Sequence, residues 1–189
     1  MHQALRYFVL AVAMHPSAFG QGSSVATPTV QQPLHQVAST NSDTAWRPSP
    51  SQRETVETLT KEYFSLRDTN KAEAAYELLS ERQKQHQPFP TFSRKLREFN
   101  ESSGDAQGRT LRKVTWYKDT PQAGPGLYVA VDFYSKYSGL ALHCGYVVWH
   151  EQPNGSFLQV SEVTNIIPNA AIPAIKPEQM ASIRAQFRC

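Results

Sequence analysis

The sequence predicts an α+β domain in which three N-terminal helices pack on a bent four-stranded antiparallel sheet, followed by a short C-terminal helix. Three observations carry this expectation. Apolar residues recur at helical spacing from residue 51 to the glycine at 104. Beyond that glycine the period changes to two. A Pro153-Asn154-Gly155 turn then joins the last two alternating runs, a strong hairpin signal.

Before the domain come two segments of different character. Met1 to Arg6 carries one positive side chain and no acid, Tyr7 to Met14 is an unbroken apolar run, and Pro16-Ser17-Ala18-Phe19-Gly20 supplies a breaker and small residues. A basic start, a short apolar core and a small-residue exit make residues 1–20 read as a secretory signal peptide. Eight apolar residues are too few to span a hydrocarbon layer of roughly 30 Å. Cleavage after Ala18, Gly20 or Ala26 fits equally, so no transmembrane span is expected afterwards. Residues 21–50 are dominated by Ser, Thr, Gln and Pro with no apolar periodicity. Such a stretch buries too little surface to offset its ordering entropy and reads as a disordered linker, with Trp46 left open as a residue that either packs on the domain or is exposed.

The domain is placed at 51–189. Ser51 and Glu54 have capping-box spacing, and Val56, Leu59, Tyr63 and Leu66 form one helical stripe. Asp68-Thr69-Asn70 ends that helix and leads to a second, carrying Ala72, Ala75, Tyr76, Leu78 and Leu79. Pro88 and Pro90 break the second, and the third starts at Pro90-Thr91 with Phe92, Leu96 and Phe99 on one side. Four strands follow at 111–117, 127–137, 140–151 and 157–167. In the second, Leu127, Val129, Val131 and Phe133 share one face and Tyr128, Ala130, Asp132 and Tyr134 the other. The hairpin turn is a two-residue Asn-Gly loop or a three-residue loop with Gly155 left-handed; Pro153 favours the latter. In the tail, 168–189, Pro177 opens a short helix bearing Met180, Ile183 and Phe187.

Charge and cysteine content set the compartment and the partners. The 189 residues hold 19 Lys and Arg and 16 Asp and Glu; loss of the first twenty removes Arg6 alone, leaving 18 − 16 = +2. Near-neutral, interspersed charge gives no phosphate-binding surface, and no nucleic acid partner is expected. Cys144 and Cys189 are the two cysteines. In an oxidising compartment they are expected to pair, closing a loop worth about 3–4 kcal/mol in the chain-entropy picture. Cys144 as a small buried hydrophobe and Cys189 pairing between chains are the alternatives.

The run Ala75-Tyr76-Glu77-Leu78-Leu79-Ser80, Phe92-Ser93-Arg94, Val114-Thr115-Trp116-Tyr117, Gly126 to Phe133, Cys144 to Trp149 and Gly155 to Val160 resembles bacterial exported proteins of the domain-of-unknown-function family numbered 4019. These are similar in layout to the nuclear-transport-factor-two-like superfamily, a cone of helices inside a bent antiparallel sheet. The resemblance, over roughly residues 51–167, implies that cone-like fold and a periplasmic or secreted location. It implies no activity, because that superfamily hosts enzymes, scaffolds and silent binding modules alike.

Few residues could carry chemistry. Asp132 lies in a strand apolar enough to be central, with Tyr128 and Tyr134 on its face, so it is a candidate general base with a phenol donor. Solvent or an ion pair near Lys136 is the plainer reading. His143 and Glu162 would complete an acid–base set if they converged with Asp132. The spacing of His143, Cys144, His150 and Glu151 matches no zinc pattern, there is no nucleophile elbow and no glycine loop, so no metal and no cofactor are expected. The favoured reading is a non-enzymatic envelope module binding a protein or small molecule, with Trp116, Tyr128, Tyr134, Tyr146 and Trp149 as contact residues. The alternatives are a small isomerase, dehydratase or hydrolase using Asp132, and a scaffold subunit of an envelope assembly.

Overall fold

The computed structural model describes residues 34–38, 46–121, 123–187 and 189. The expected signal segment and most of the expected linker lie outside the described residues. A short strand β1 (His35–Val37) precedes helices α1 (Pro50–Asp68), α2 (Ala72–Glu77), α3 (Glu81–His86) and α4 (Phe89–Ser103). Strands β2 (Ala106–Thr120), β3 (Gly124–Tyr137), β4 (Leu140–Glu151) and β5 (Phe157–Pro168) follow. The chain closes with a 3-10 stretch, Asn169–Ala174, and helix α5 (Pro177–Gln186).

The fold class is α+β, but the expectation of four antiparallel strands is wrong: among the described residues the sheet has five strands in the order β1-β2-β3-β4-β5 and is mixed. Strands β2 to β5 form an antiparallel meander, and β1 runs parallel to β2 with His35 opposite Val114 and Val37 opposite Trp116. Three residues cannot display a period of two, so β1 is invisible to pattern reading; it forms because the β2 edge offers unpaired main-chain groups. Val114 N donates to Leu34 O at 2.7 Å and Ala38 N to Trp116 O at 2.9 Å. The His35 ring fastens the strand on both sides. Its Nδ1 accepts from Trp116 Nε1 at 3.1 Å, which leaves Nε2–H to donate to Glu57 of α1 at 2.8 Å. Trp46 is half-buried, its ring 6.1 Å from that of Trp116.

The helices also differ in detail from the sequence pattern. Ser49, not Ser51, caps α1, exchanging hydrogen bonds with Gln52, and Pro50 takes the first helical position, where its missing N–H costs nothing. The buried stripe is Val56, Thr60, Tyr63 and Phe64, with Leu59 and Leu66 at its margin. The second expected helix splits at Leu78–Ser80, because β5 captures that link. Gln159 N donates to Leu78 O and Ser80 N to Gln159 O, both at 2.8 Å.

The main core lies between the helices and the inner sheet face, where Val114, Trp116, Val129, Val131, Val147 and Trp149 are fully buried. Thr60 serves both partners: its hydroxyl donates to Val56 O at 2.7 Å and accepts from Trp149 Nε1 at 2.9 Å. The Phe64 and Phe133 rings meet at 4.6 Å. On the outer face, α5 covers one end through Met180, Ile183 and Phe187 over Leu142, Cys144 and Ile167. A disulfide joins Cys144 to Cys189, with Cα atoms 5.9 Å apart. The β4–β5 turn takes the three-residue form. Gln152 N donates to Ser156 O at 2.7 Å, Gly155 N to Gln152 O at 2.8 Å, and Gly155 has φ 81°, open to glycine without strain.

Candidate functional site

Polar side chains aimed into an otherwise apolar interior build the candidate site. Tyr63 and Arg67 stand four residues apart on α1 and so share its inner face. On β5, a register shift at Val148/Trp149 turns both Gln159 and Glu162 inward, opposite Trp149 and Val147. Arg67 Nη1 donates to Glu162 Oε1 at 2.5 Å, Tyr63 OH to Oε2 at 2.8 Å and Thr164 Oγ1 to Oε1 at 3.1 Å. Burial alone would raise the Glu162 carboxyl; the Arg67 charge and the donated hydrogen bonds outweigh it and hold the group below its ordinary value. Burial pushes the Tyr63 phenol up, against the Arg67 charge.

A second network stands beside the first. Asp68 accepts from Arg109 Nη1 at 2.8 Å and from Tyr137 OH at 2.6 Å, while Arg109 Nε donates to Ser135 Oγ at 2.7 Å. The Arg109 guanidinium lies 4.0 Å from the Phe64 ring centroid, a cation–π contact. His143 is 3% exposed among the rings of Phe99, Phe133 and Tyr137, and its Nδ1 has no hydrogen-bond partner among the described residues. Burial, then the Arg109 and Arg67 charges, push its imidazole down to about 4, so it stays neutral near pH 7.

A cleft of about 430 Å³ opens between α1, α3, α4 and β5. Its polar wall is formed by Arg67, Gln83, Gln159 and Glu162, and its apolar wall by Leu79, Phe92 and Leu96, with Gln87 and the exposed Lys95 completing it. Gln159 is 3% exposed, and among the described residues its Oε1 accepts no hydrogen bond. Main-chain bonds hold that residue to the α2–α3 link, and Gln83 Nε2 donates to Val160 O. The wall is therefore fixed before any ligand arrives.

The expected site residues divide between the two sheet faces. His143 and Glu162 lie on the inner face. Asp132 and Tyr134 lie on the outer face, where Asp132 Oδ2 is 3.9 Å from Lys113 Nζ, so the four do not assemble into one acid–base set. Lys113 is a lysine beside Asp132. Of the expected contact residues, Trp116 and Trp149 are wholly buried core. Tyr128 stacks on His150 at 4.2 Å, Tyr134 packs on the cluster beneath α5, and Tyr146 is 37% exposed. Among the described residues no group of three or more His, Cys, Asp or Glu could hold a metal ion. No described helix is long and apolar enough to cross a membrane.

Sequence reasoning passed over Arg67, Gln83 and Gln159. A signal existed for two of them. Arg67 follows Tyr63 by four residues on the buried stripe, and Gln159 shares inward parity with Phe157. A polar residue at an apolar position of a clear pattern marks a site.

Residues 59–161 match the family model described as a protein of unknown function, DUF4019. No curated protein and no solved structure matches the chain.

Proposed function

We propose that this chain, which belongs to the DUF4019 family, is an exported envelope module that binds a small organic ligand in the cleft between α1, α3, α4 and β5 without transforming it. The observation that carries the reading is the Gln159 carbonyl, buried and unpaired among the described residues in the wall of the cleft. A buried acceptor without a donor costs free energy, and a ligand that supplies the donor recovers it. The cleft has the volume range of small-molecule sites, and its lining is mostly polar with one apolar wall.

The inner acids and bases suit recognition better than proton transfer. Glu162 receives three donors and has a depressed proton affinity, which makes it a poor base. Asp132 stands on the other face beside Lys113. Export to the periplasm or beyond is supported by the basic start, apolar run and small-residue exit of residues 1–20, together with the joined cysteines. Helices followed by an antiparallel meander are in keeping with a nuclear-transport-factor-two-like layout, which belongs to the same reading.

A ligand-observed NMR fragment screen on the mature chain tests this proposal, run beside Gln87→Trp, which fills the cleft from a half-buried position. Fragments should bind the wild type and lose binding in the variant, with circular dichroism unchanged. Absence of any binder, or binders indifferent to Gln87→Trp, counts against the cleft.

A further inference from the structure

The geometry points to a ligand class: we infer that the cleft selects small organic monoanions that also carry a hydrogen-bond donor, such as a carboxylate with an amide N–H a few bonds away. This inference rests on the reading of the cleft as a small-molecule site.

Charge comes first. Among the described residues, the ionisable groups lining the cleft are Tyr63, Arg67, Lys95 and Glu162. Tyr63 is neutral, its phenol pushed up by burial. Arg67 and Glu162 cancel within the wall, and Glu162 already accepts from Arg67, Tyr63 and Thr164. Lys95 makes no salt bridge among the described residues, so the lining carries one uncompensated positive charge. A single positive charge at the rim of the cleft draws an anion toward it. One unbalanced cation suits a carboxylate, whereas a phosphate dianion would need more.

The donor requirement comes from the amides. Gln159 Oε1 is buried without a partner among the described residues, and Gln83 spends its Nε2 on Val160 O, which leaves its carbonyl as a second acceptor. A site that holds a buried acceptor discriminates against a ligand that lacks the donor. The apolar wall of Leu79, Phe92 and Leu96 then takes a hydrocarbon group.

Three matched probes separate the two requirements: N-acetyl-L-phenylalanine, its neutral carboxamide, and 3-phenylpropionate, which keeps the charge and lacks the N–H. Affinities are read by titration NMR on the full mature chain, with Lys95→Met and Gln159→Met as variants and circular dichroism as the fold control. The acid should bind at least about tenfold more tightly than either control. Lys95→Met should close the gap to the carboxamide, and Gln159→Met the gap to 3-phenylpropionate. If the carboxamide or the N–H-free acid matches the parent while binding stays sensitive to Gln87→Trp, the ligand class is overturned and the cleft reading survives. Entry of only cationic or neutral fragments into the cleft overturns the ligand class in the same way. If nothing binds there, the cleft reading fails and takes this inference with it.

Discussion

Arg67 of the first long helix and Glu162 of the last strand, 95 residues apart in sequence, meet at 2.5 Å with side chains 20% and 17% exposed. Two charges so far removed from water hold each other in place. Removing either strands the other, whereas removing both spares the desolvation of each. The pair thus fixes one wall of the cleft without adding net charge to it.

Glu162→Ala should cost about 3 kcal/mol by leaving the Arg67 guanidinium without its carboxylate. Replacing both partners with apolar residues, Arg67→Met with Glu162→Leu, should come within about 1 kcal/mol of the parent. Urea unfolding midpoints measure both. The folded Glu162 carboxyl lies below its ordinary 4.5, so its contribution is present above that pH and lost as pH falls through the folded value. Glu162→Gln should show no such loss.

His143 gives a second acid-side transition of its own. The folded imidazole is held down to about 4 against an ordinary 6.5, so the unfolded chain takes up its proton first as pH drops. Stability should therefore decline between pH 6.5 and 4, by about 3 kcal/mol in all, and His143→Phe should flatten that stretch. A His143 resonance titrating near 6.5 in the folded protein would contradict the burial argument.

The Cys144–Cys189 bridge anchors α5 to the outer sheet face. Cys189→Ser should remove up to about 3–4 kcal/mol and strip amide-exchange protection from Pro177–Gln186 while β3 and β4 stay protected. The oxidised protein should titrate no more than one free thiol. Two reactive thiols, or protection unchanged along α5, would show that the bridge does not hold the tail.

For export, intact-mass measurement of the secreted fraction should place the new N-terminus between residues 19 and 27. Recovery of exported chain still beginning at Met1 argues for a retained segment.

Much of the fold was legible because long elements advertise their period. The 3.6-to-2 change at Gly104 matches the passage from α4 to β2, and the β3 alternation of Leu127, Val129, Val131 and Phe133 matches its buried face. Strand β1 was not legible: His35–Val37 is fixed by the β2 edge and the His35 ring contacts, which are tertiary facts. The break at Leu79 was hidden for the same reason, since capture by Gln159 overrides a good helical run. The site was the least readable part. Asp132 and Glu162 look alike in sequence, each an acid next to a valine in a strand, yet they face opposite sides of the sheet. A single register shift in the β4–β5 ladder sets the parity of Glu162 against Gln159, and no local pattern announces it.

The most direct measurement is amide chemical-shift mapping of the isotope-labelled mature chain as a binding fragment is added. Shifts should gather at Gln83, Lys95, Gln159 and Thr164, including the Gln159 side-chain amide, and leave Tyr128, Asp132 and Tyr146 unmoved. Shifts centred instead on that outer aromatic face, with Gln159 silent, would contradict the assignment of the cleft as the binding site.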